Sequence, residues 1–206
     1  MSVICFDLWG TIVRPKISTS YQDVLVSYGV RREEIYPFVR SEIMNHAIGY
    51  KEMEFLLRNK FGIPVSSSET IMECWRRENE SSVWVDDAQL LLTQLSSRHT
   101  LVLVSNCTMP GWQSVENKLG VSKFFHRTFL SWRQGMSKPE SKVWLTIEDW
   151  YPNDGRFWMI GDTEDDIHTP NLLGWGTFLV KSCCLKRLRR YLAWSEMDKE
   201  VLKWNG

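Results

Sequence analysis

Residues 2–11 read SVICFDLWGT, an apolar run that ends at Asp7 and turns at Gly10 and Thr11. A continuous apolar run of this length before a turn predicts a strand of a buried parallel sheet. Open α/β sheets carry their sites at the carboxyl ends of such strands. Asp7 is therefore either a candidate nucleophile or a carboxylate that caps the turn, and this stretch alone leaves both interpretations open.

The composition is that of an ordinary globular protein. The 206 residues carry a formal net charge of +0, with 43% hydrophobic and 24% charged residues. This length suffices for one core with a modest inserted lobe, and the balanced charge argues against nucleic-acid binding through bulk electrostatics. No apolar run approaches a membrane span, and no signal-peptide pattern is seen. The five cysteines have no metal-site spacing, which fits a reducing compartment. We expect a cytoplasmic protein that binds neither nucleic acid nor membrane, with its oligomeric state open.

A helical lobe is predicted between residues 15 and 85, because apolar residues there recur at helical rather than strand spacing. The serines at 66–68 are candidate N-caps of its last helix. His46 falls at helical spacing near the end of its second helix. The lobe is expected to contain helices over about 18–28, 31–46, 50–61 and 67–80.

From Asp86, which is expected to cap a helix running to Leu95, strands alternate with helices. Such alternation predicts a parallel sheet with right-handed crossovers. We therefore expect an α/β fold, with a Rossmann-like doubly wound parallel sheet over 1–14 and 86–206 and a helical-bundle cap over 15–85. Pro170 must lie in the first turn of its helix or break it. Strands are expected over 101–104, 125–131, 157–160 and 177–180, and helices over 111–119, 140–150, 163–173 and 185–204.

Polar residues follow the predicted strands at the points where these strands end. Asp7, Ser105 and Asp162 each close a strand, and Lys138 precedes a helix. Since parallel strands end at one edge of a sheet, we expect these side chains to converge. Asp7 and Asp162 would form a hard-oxygen cluster suited to Mg²⁺. Asp166, one helical turn after Asp162, can support the metal or its waters.

Four motifs, in this order, resemble the signatures of the haloacid dehalogenase-like (HAD) hydrolase superfamily. They are FDLWGT at 6–11, VSN at 104–106, KPE at 138–140 and GDTEDD at 161–166. The helical insert also lies where one branch of the superfamily carries its cap. The resemblance implies a Mg²⁺-dependent phosphatase that acts on a small phosphorylated metabolite through an aspartyl-phosphate intermediate.

The resemblance also implies a role for each matching residue. Asp7 would be the nucleophile, Ser105 would hold a phosphoryl oxygen, and Lys138 would pair with the nucleophile and the transferring group. Thr11 and Asn106 match adjacent positions and would shape the phosphate site. The implied Mg²⁺ ligands are Asp7, the main-chain carbonyl of Trp9, Asp162 and, in support, Asp166.

Trp9 departs from the pattern, because phosphatases of the superfamily usually carry a second aspartate two residues after the nucleophile. That aspartate protonates the leaving group and then activates water, and an indole can do neither. Such acid–base help is worth about 10²–10⁴ in rate. We therefore expect slow turnover, a leaving group that needs no proton, or a surrogate acid from the cap. His46 is one candidate surrogate, although a packed helix histidine is the plainer interpretation.

Trp9 also leaves two other functions open. Metal-free dehalogenases of the superfamily carry an aromatic residue at the position of Trp9 and attack carbon, which favours a 2-haloacid dehalogenase-type hydrolase. Asp162 opposes this hypothesis, since its charge would repel an anionic substrate and raise the pKa of a neighbouring carboxyl group. A pseudoenzyme that binds a ligand or a protein partner would also tolerate Trp9.

Overall fold

A computed structural model describes the protein over residues 2–180, so the helix predicted over 185–204 lies outside the described residues. In chain order the elements are β1 (Val3–Phe6), β2 (Val13–Arg14), α1 (Tyr21–Ser27), α2 (Arg32–Glu42), α3 (Tyr50–Phe61), α4 (Val65–Glu80), β3 (Val83–Trp84), α5 (Ala88–Ser96), β4 (Thr100–Ser105), α6 (Met109–Leu119), a 3₁₀ helix (Val121–Phe124), β5 (Arg127–Leu130), α7 (Ser131–Gln134), α8 (Ser141–Trp150), β6 (Phe157–Gly161), α9 (Glu164–Leu172) and β7 (Gly176–Leu179).

Five parallel strands form the central sheet in the order β5-β4-β1-β6-β7. Side chains of β1 alternate between the two faces, and both faces are buried. Ile4 and Phe6 pack into a cluster with α5 and α6, whereas Val3 and Cys5 pack with α8. Helices therefore cover both faces, which confirms the doubly wound α/β prediction.

Helices α1 to α4 form the helical lobe, which has an apolar cluster of its own. Within it, the rings of Tyr21 and Trp75 stack with centroids 3.8 Å apart and an interplanar angle of 6°. The lobe is joined to the sheet at both ends by a short antiparallel ribbon in which β2 pairs with β3. Strand β3, the partner of β2 in this ribbon, is not among the predicted strands.

Helix α2 is shorter than predicted and ends at Glu42 rather than at residue 46. Beyond it the chain turns toward the sheet, where the Met44 carbonyl accepts a hydrogen bond of 2.6 Å from Ser131 Oγ. His46 therefore lies in an exposed turn, and the interpretation of a packed helix histidine is wrong.

Three helix termini also differ from the predictions. Pro64 rather than a serine precedes α4, because proline has the φ suited to this position and needs no hydrogen-bond acceptor. Ser68, inside the first turn, bonds instead to Glu54 and the Val65 carbonyl. Asp87, with φ +65°, precedes α5, so Asp86 is not its cap. Pro170 lies in the last turn of α9, where it neither begins nor breaks the helix.

Of the helices between residues 2 and 180, none has both the length and the apolar character needed to cross a membrane.

Candidate active site

Asp7 lies at the carboxyl end of β1, the central strand of the sheet. Its backbone N–H donates to the Ile160 carbonyl, and its side chain is 8% exposed. Lys138 Nζ donates to Asp7 Oδ1 at 2.5 Å, to the Val104 carbonyl at 3.0 Å and to Asp166 Oδ1. An ammonium has three N–H donors, so this lysine is fully satisfied while buried. Asp7 and Lys138 therefore lie in contact, as the sequence predicts.

Asn106, directly after β4, positions Lys138. The Asn106 side chain donates from Nδ2 to the Lys138 carbonyl at 3.0 Å and accepts from the Lys138 N–H at 2.9 Å. The peptide bond between Lys138 and Pro139 is cis. Because both ends of the Asn106 amide are occupied by the backbone of residue 138, this side chain shapes the site by holding the lysine loop.

Asp162, directly after β6, approaches the turn that follows β1. Thr11 Oγ1 lies 3.5 Å from Asp7 Oδ2 and 3.4 Å from Asp162 Oδ1, between the two carboxylates. Gly10 has φ +79°, and a Cβ there would overlap Asp162 Oδ2. Glycine is therefore required at this position both for the turn and for the close approach of Asp162.

Asp166 has a positioning role at the start of α9. Its Oδ2 accepts hydrogen bonds from the Thr163 backbone N–H at 3.0 Å and from Thr163 Oγ1 at 2.8 Å, which completes a capping box. Its Oδ1 accepts from Lys138. Sequence reasoning anticipates a metal-supporting role for Asp166 but not this bond to the lysine. Thr163 is the predicted helix-start residue.

The three aspartates form a candidate metal centre. Within residues 2–180, Asp7, Asp162 and Asp166 each offer a carboxylate oxygen, and these oxygens lie within 4.8 Å of one another. The turn after β1 uses the Leu8 and Val13 carbonyls as backbone acceptors, and no described residue donates to the carbonyl of Trp9. Carboxylate and carbonyl oxygens are the donors that Mg²⁺ prefers, so the residues present fit this ion.

Burial and mutual repulsion raise the pKa of two of these acids. Burial raises the pKa of Asp7 to about 7, and the Lys138 ammonium opposes this rise. Burial, followed by repulsion from Asp166, raises the pKa of Asp162. Burial alone would lower the pKa of Lys138, but Asp7 and Asp166 outweigh it and raise that pKa. The site therefore holds a charged lysine among carboxylates that lack enough positive charge.

Ser105, the last residue of β4, carries a buried hydroxyl. The residue is 1% exposed, and its Oγ makes no hydrogen bond of ordinary geometry to any residue between 2 and 180. Its one side-chain interaction there is with the Cys107 thiol, a weak partner. A buried hydroxyl in this state gains free energy when an oxygen ligand reaches it.

A cavity of about 350 Å³ separates this edge of the sheet from the helical lobe. The half-buried Trp9 lines it on the sheet side, and His46 is not among its described lining residues. At its mouth, Arg40 Nη1 of α2 pairs with Asp165 Oδ2 of α9 at 3.0 Å. The lobe also lines the cavity with residues that sequence reasoning missed, namely Tyr21, Gln22, Tyr36, Met44, Trp75, Glu78 and Asn79.

No family model and no curated protein matches the chain. Among solved structures, it is similar to a HAD family enzyme of Bacteroides thetaiotaomicron in a magnesium complex, at 20% identity and TM-score 0.74 over 92% of this chain and 98% of that one. The same enzyme is known with magnesium and inorganic phosphate. A 2-haloacid dehalogenase of Pseudomonas syringae is similar at 16% identity and TM-score 0.61, over 94% and 98% of the two chains.

These likenesses show that the chain has the HAD-like fold, as the four motifs predict. The fold is an α/β sheet flanked by helices. At the carboxyl edge of its strands lie an acidic cluster and a buried lysine.

Proposed function

We propose that this protein is a Mg²⁺-dependent phosphatase that cleaves a small phosphorylated metabolite through an aspartyl-phosphate on Asp7. The observation that carries the proposal is the convergence on Asp7 of Lys138 and two further carboxylates at the edge of the sheet. Support also comes from the similar Bacteroides enzyme, which binds magnesium and inorganic phosphate.

In the proposed reaction, an Asp7 carboxylate oxygen attacks phosphorus and the bond from phosphorus to the alcohol oxygen breaks. The leaving alkoxide takes a proton from solvent water. A second water then attacks phosphorus and passes its proton to the phosphate, and the bond from phosphorus to the Asp7 oxygen breaks, which regenerates the Asp7 carboxylate. Lys138 orients Asp7 and offsets charge on the transferring group, while Ser105 donates its free hydroxyl to a phosphoryl oxygen. Mg²⁺, held by Asp7, Asp162 and the Trp9 carbonyl, would neutralise phosphate charge.

Trp9 determines the turnover rate that we expect for this reaction. Its indole lines the cavity where the leaving group would lie, and it supplies no titratable group. Leaving-group departure and attack by water therefore both proceed without the usual acid–base residue. We expect turnover to be slow, by about 10²–10⁴ relative to a site with that group.

The direct test is phosphate release from a panel of phosphate monoesters, with Mg²⁺ and with EDTA. We expect release that requires Mg²⁺ and that falls on the order of 10³-fold or more in Asp7→Asn, because the amide is not a nucleophile. Asp149→Asn, on the exposed side of α8, is the matched control and should retain activity. Acid quench with labelled substrate should trap phosphate on Asp7.

A second candidate function is hydrolysis of 2-haloacids. Trp9 favours it, and the similar Pseudomonas protein is named a 2-haloacid dehalogenase. The half-buried Asp162 argues against it, since its charge would lie close to an anionic substrate. Halide release that survives EDTA would overturn the phosphatase proposal in favour of this one. Specific ligand binding without turnover on either panel would instead indicate a pseudoenzyme.

A further inference from the structure

Glu78, on α4, is a partly buried carboxylate that faces the cavity without a counter-charge. Its Oε2 accepts a hydrogen bond of 3.1 Å from the backbone N–H of Tyr21. Between residues 2 and 180 no lysine, arginine or histidine forms an ion pair with it, whereas Glu73 on the same helix pairs with Arg76. Burial raises the pKa of Glu78, the negative charge of Asp23 adds to this rise, and the hydrogen bond from the Tyr21 N–H at the start of α1 opposes it.

Three aromatic residues and a methionine line the lobe side of the cavity together with Glu78. Tyr21 and Trp75, stacked on each other, line the cavity together with Tyr36 and Met44. Aromatic faces attract cations, and a methionine thioether adapts to the shape of a ligand. A carboxylate among aromatic rings is a combination that stabilises an organic ammonium group.

The positive charges of the described residues close to the cavity already form ion pairs with acidic residues. Lys138 is the one cation among the described lining residues, and Asp7 and Asp166 both accept hydrogen bonds from it. At the mouth, Arg40 pairs with Asp165. A phosphate group would be met by Lys138 at the sheet side of the cavity. Among the described residues that line its lobe side, Glu78 is the charged one, and its carboxylate has a backbone N–H but no cation as partner.

We propose that the lobe side of this cavity selects phosphate monoesters whose alcohol carries a protonated amine, with Glu78 as its counter-charge. The inference rests on the proposed phosphatase function and adds the substrate class to it. A cavity of about 350 Å³ suits a small ester of this kind. Glu78 would also exclude esters with a carboxylate in the same place, because two like charges would face each other there.

The experiment compares kcat/KM for short ω-aminoalkyl phosphates of increasing length with the matching ω-hydroxyalkyl phosphates, using p-nitrophenyl phosphate as a reporter of phosphatase activity. We expect a preference of about 10-fold or more for the amine at one chain length. Glu78→Gln should abolish this preference through KM, so that kcat/KM for the aminoalkyl esters falls to the value for the matching hydroxyalkyl esters. Its amide oxygen can still accept from Tyr21, so the lobe should fold normally.

Glu69→Gln, on the exposed face of the same helix, is the matched control and should keep the preference. Hydrolysis of p-nitrophenyl phosphate without any preference for the amine would overturn the inference and leave the phosphatase proposal standing. An amine preference that persists in Glu78→Gln would overturn the assignment to Glu78. Absence of hydrolysis of every ester would overturn both proposals together.

Discussion

At the residue scale, Asp7 shows why a reactive site is costly to keep folded. It is buried close to Asp162 and Asp166, and within residues 2–180 one ammonium, that of Lys138, donates hydrogen bonds to this group of acids, namely to Asp7 and Asp166. Removing a carboxylate from water is unfavourable unless positive charge compensates it. The raised pKa of Asp7, about 7, expresses this imbalance, and a divalent cation would relieve it.

A first prediction concerns the stability of the metal-free protein. The pKa of Asp7 is 3.8 in a model peptide and about 7 when folded, so the folded protein binds more protons than the unfolded chain between these values. The free energy of unfolding of the wild type should therefore fall as pH rises from about 4 to about 7. The free energy of unfolding of Asp7→Asn should not show this fall, because the asparagine amide does not titrate.

Thermal unfolding in EDTA measures the effect. At pH 8 we expect Asp7→Asn to have a higher melting temperature than the wild type. Each kcal/mol gained in the free energy of unfolding should raise the melting temperature by roughly 2–4 °C, and the difference should shrink toward pH 4. Asp149→Asn should melt with the wild type throughout. Equal melting temperatures of Asp7→Asn and wild type at pH 8 would show that the buried carboxylate is compensated in some other way.

At the element scale, the segment after β4 and the loop before α8 act as one unit. The Asn106 amide satisfies both backbone groups of residue 138 and so fixes where the lysine side chain begins. Without that amide, two backbone groups near the site would lose their partners, at about 1–3 kcal/mol for each one left buried. The position of Lys138 relative to Asp7 thus depends on a neutral residue.

Asn106→Leu tests this positioning role. We expect kcat on p-nitrophenyl phosphate to fall about 10²-fold with a small change in KM, since a misplaced catalytic group affects the reaction more than binding. Asn117→Leu, at the far end of α6, is the control. A kcat that stays at the wild-type value would mean that Pro139 and the packing of the loop hold Lys138 without Asn106.

At the scale of the whole molecule, the helical lobe meets the sheet through packing of α4 on α6 and through polar contacts at other points. These polar contacts include the pair of Arg40 with Asp165 and the bond from Ser131 to the Met44 carbonyl. Arg40 and Asp165 are each about one third exposed, at 32% and 35%, so water and salt weaken their attraction. The contribution of this ion pair to holding the lobe is therefore expected to fall as ionic strength rises.

Thiol reactivity reports on opening of the lobe. Cys107 lies in the cavity, it is buried, and burial raises its pKa to about 12, so it should react with iodoacetamide only when the lobe opens. Site-resolved mass spectrometry should find Cys74, which is half-buried, modified before Cys5 and Cys107, the other cysteines within residues 2–180. Arg40→Gln should speed modification of Cys107 several-fold and leave Cys5, in β1, protected.

Arg76→Gln is the control for Arg40→Gln, because Arg76 forms its ion pairs within α4 and none across the cavity. Equal rates at Cys107 in the wild type and in Arg40→Gln would show that the ion pair does not restrain the lobe.

Much of the site can be predicted from the sequence because it depends on local signals. An apolar run that ends in a polar residue marks a buried strand and its carboxyl end, and parallel strands bring these ends to one edge. Asp7, Ser105 and Asp162 follow from this rule, whereas Lys138 precedes a helix and is predicted from the KPE motif at 138–140. The α/β class follows as well, since strands and helices alternate along the chain.

The tertiary structure alone decided which residues of the helical lobe face the cavity. Helical periodicity separates an apolar face from a polar one, but Glu73 and Glu78 of α4 look alike in sequence. One pairs with Arg76 at the surface, and the other lies unpaired beside Tyr21 in the cavity. Packing of the lobe on the sheet brings together residues far apart in the chain, and no local pattern encodes that contact. The sequence by itself determined the reactive edge, and the packing of the lobe determined what that edge faces.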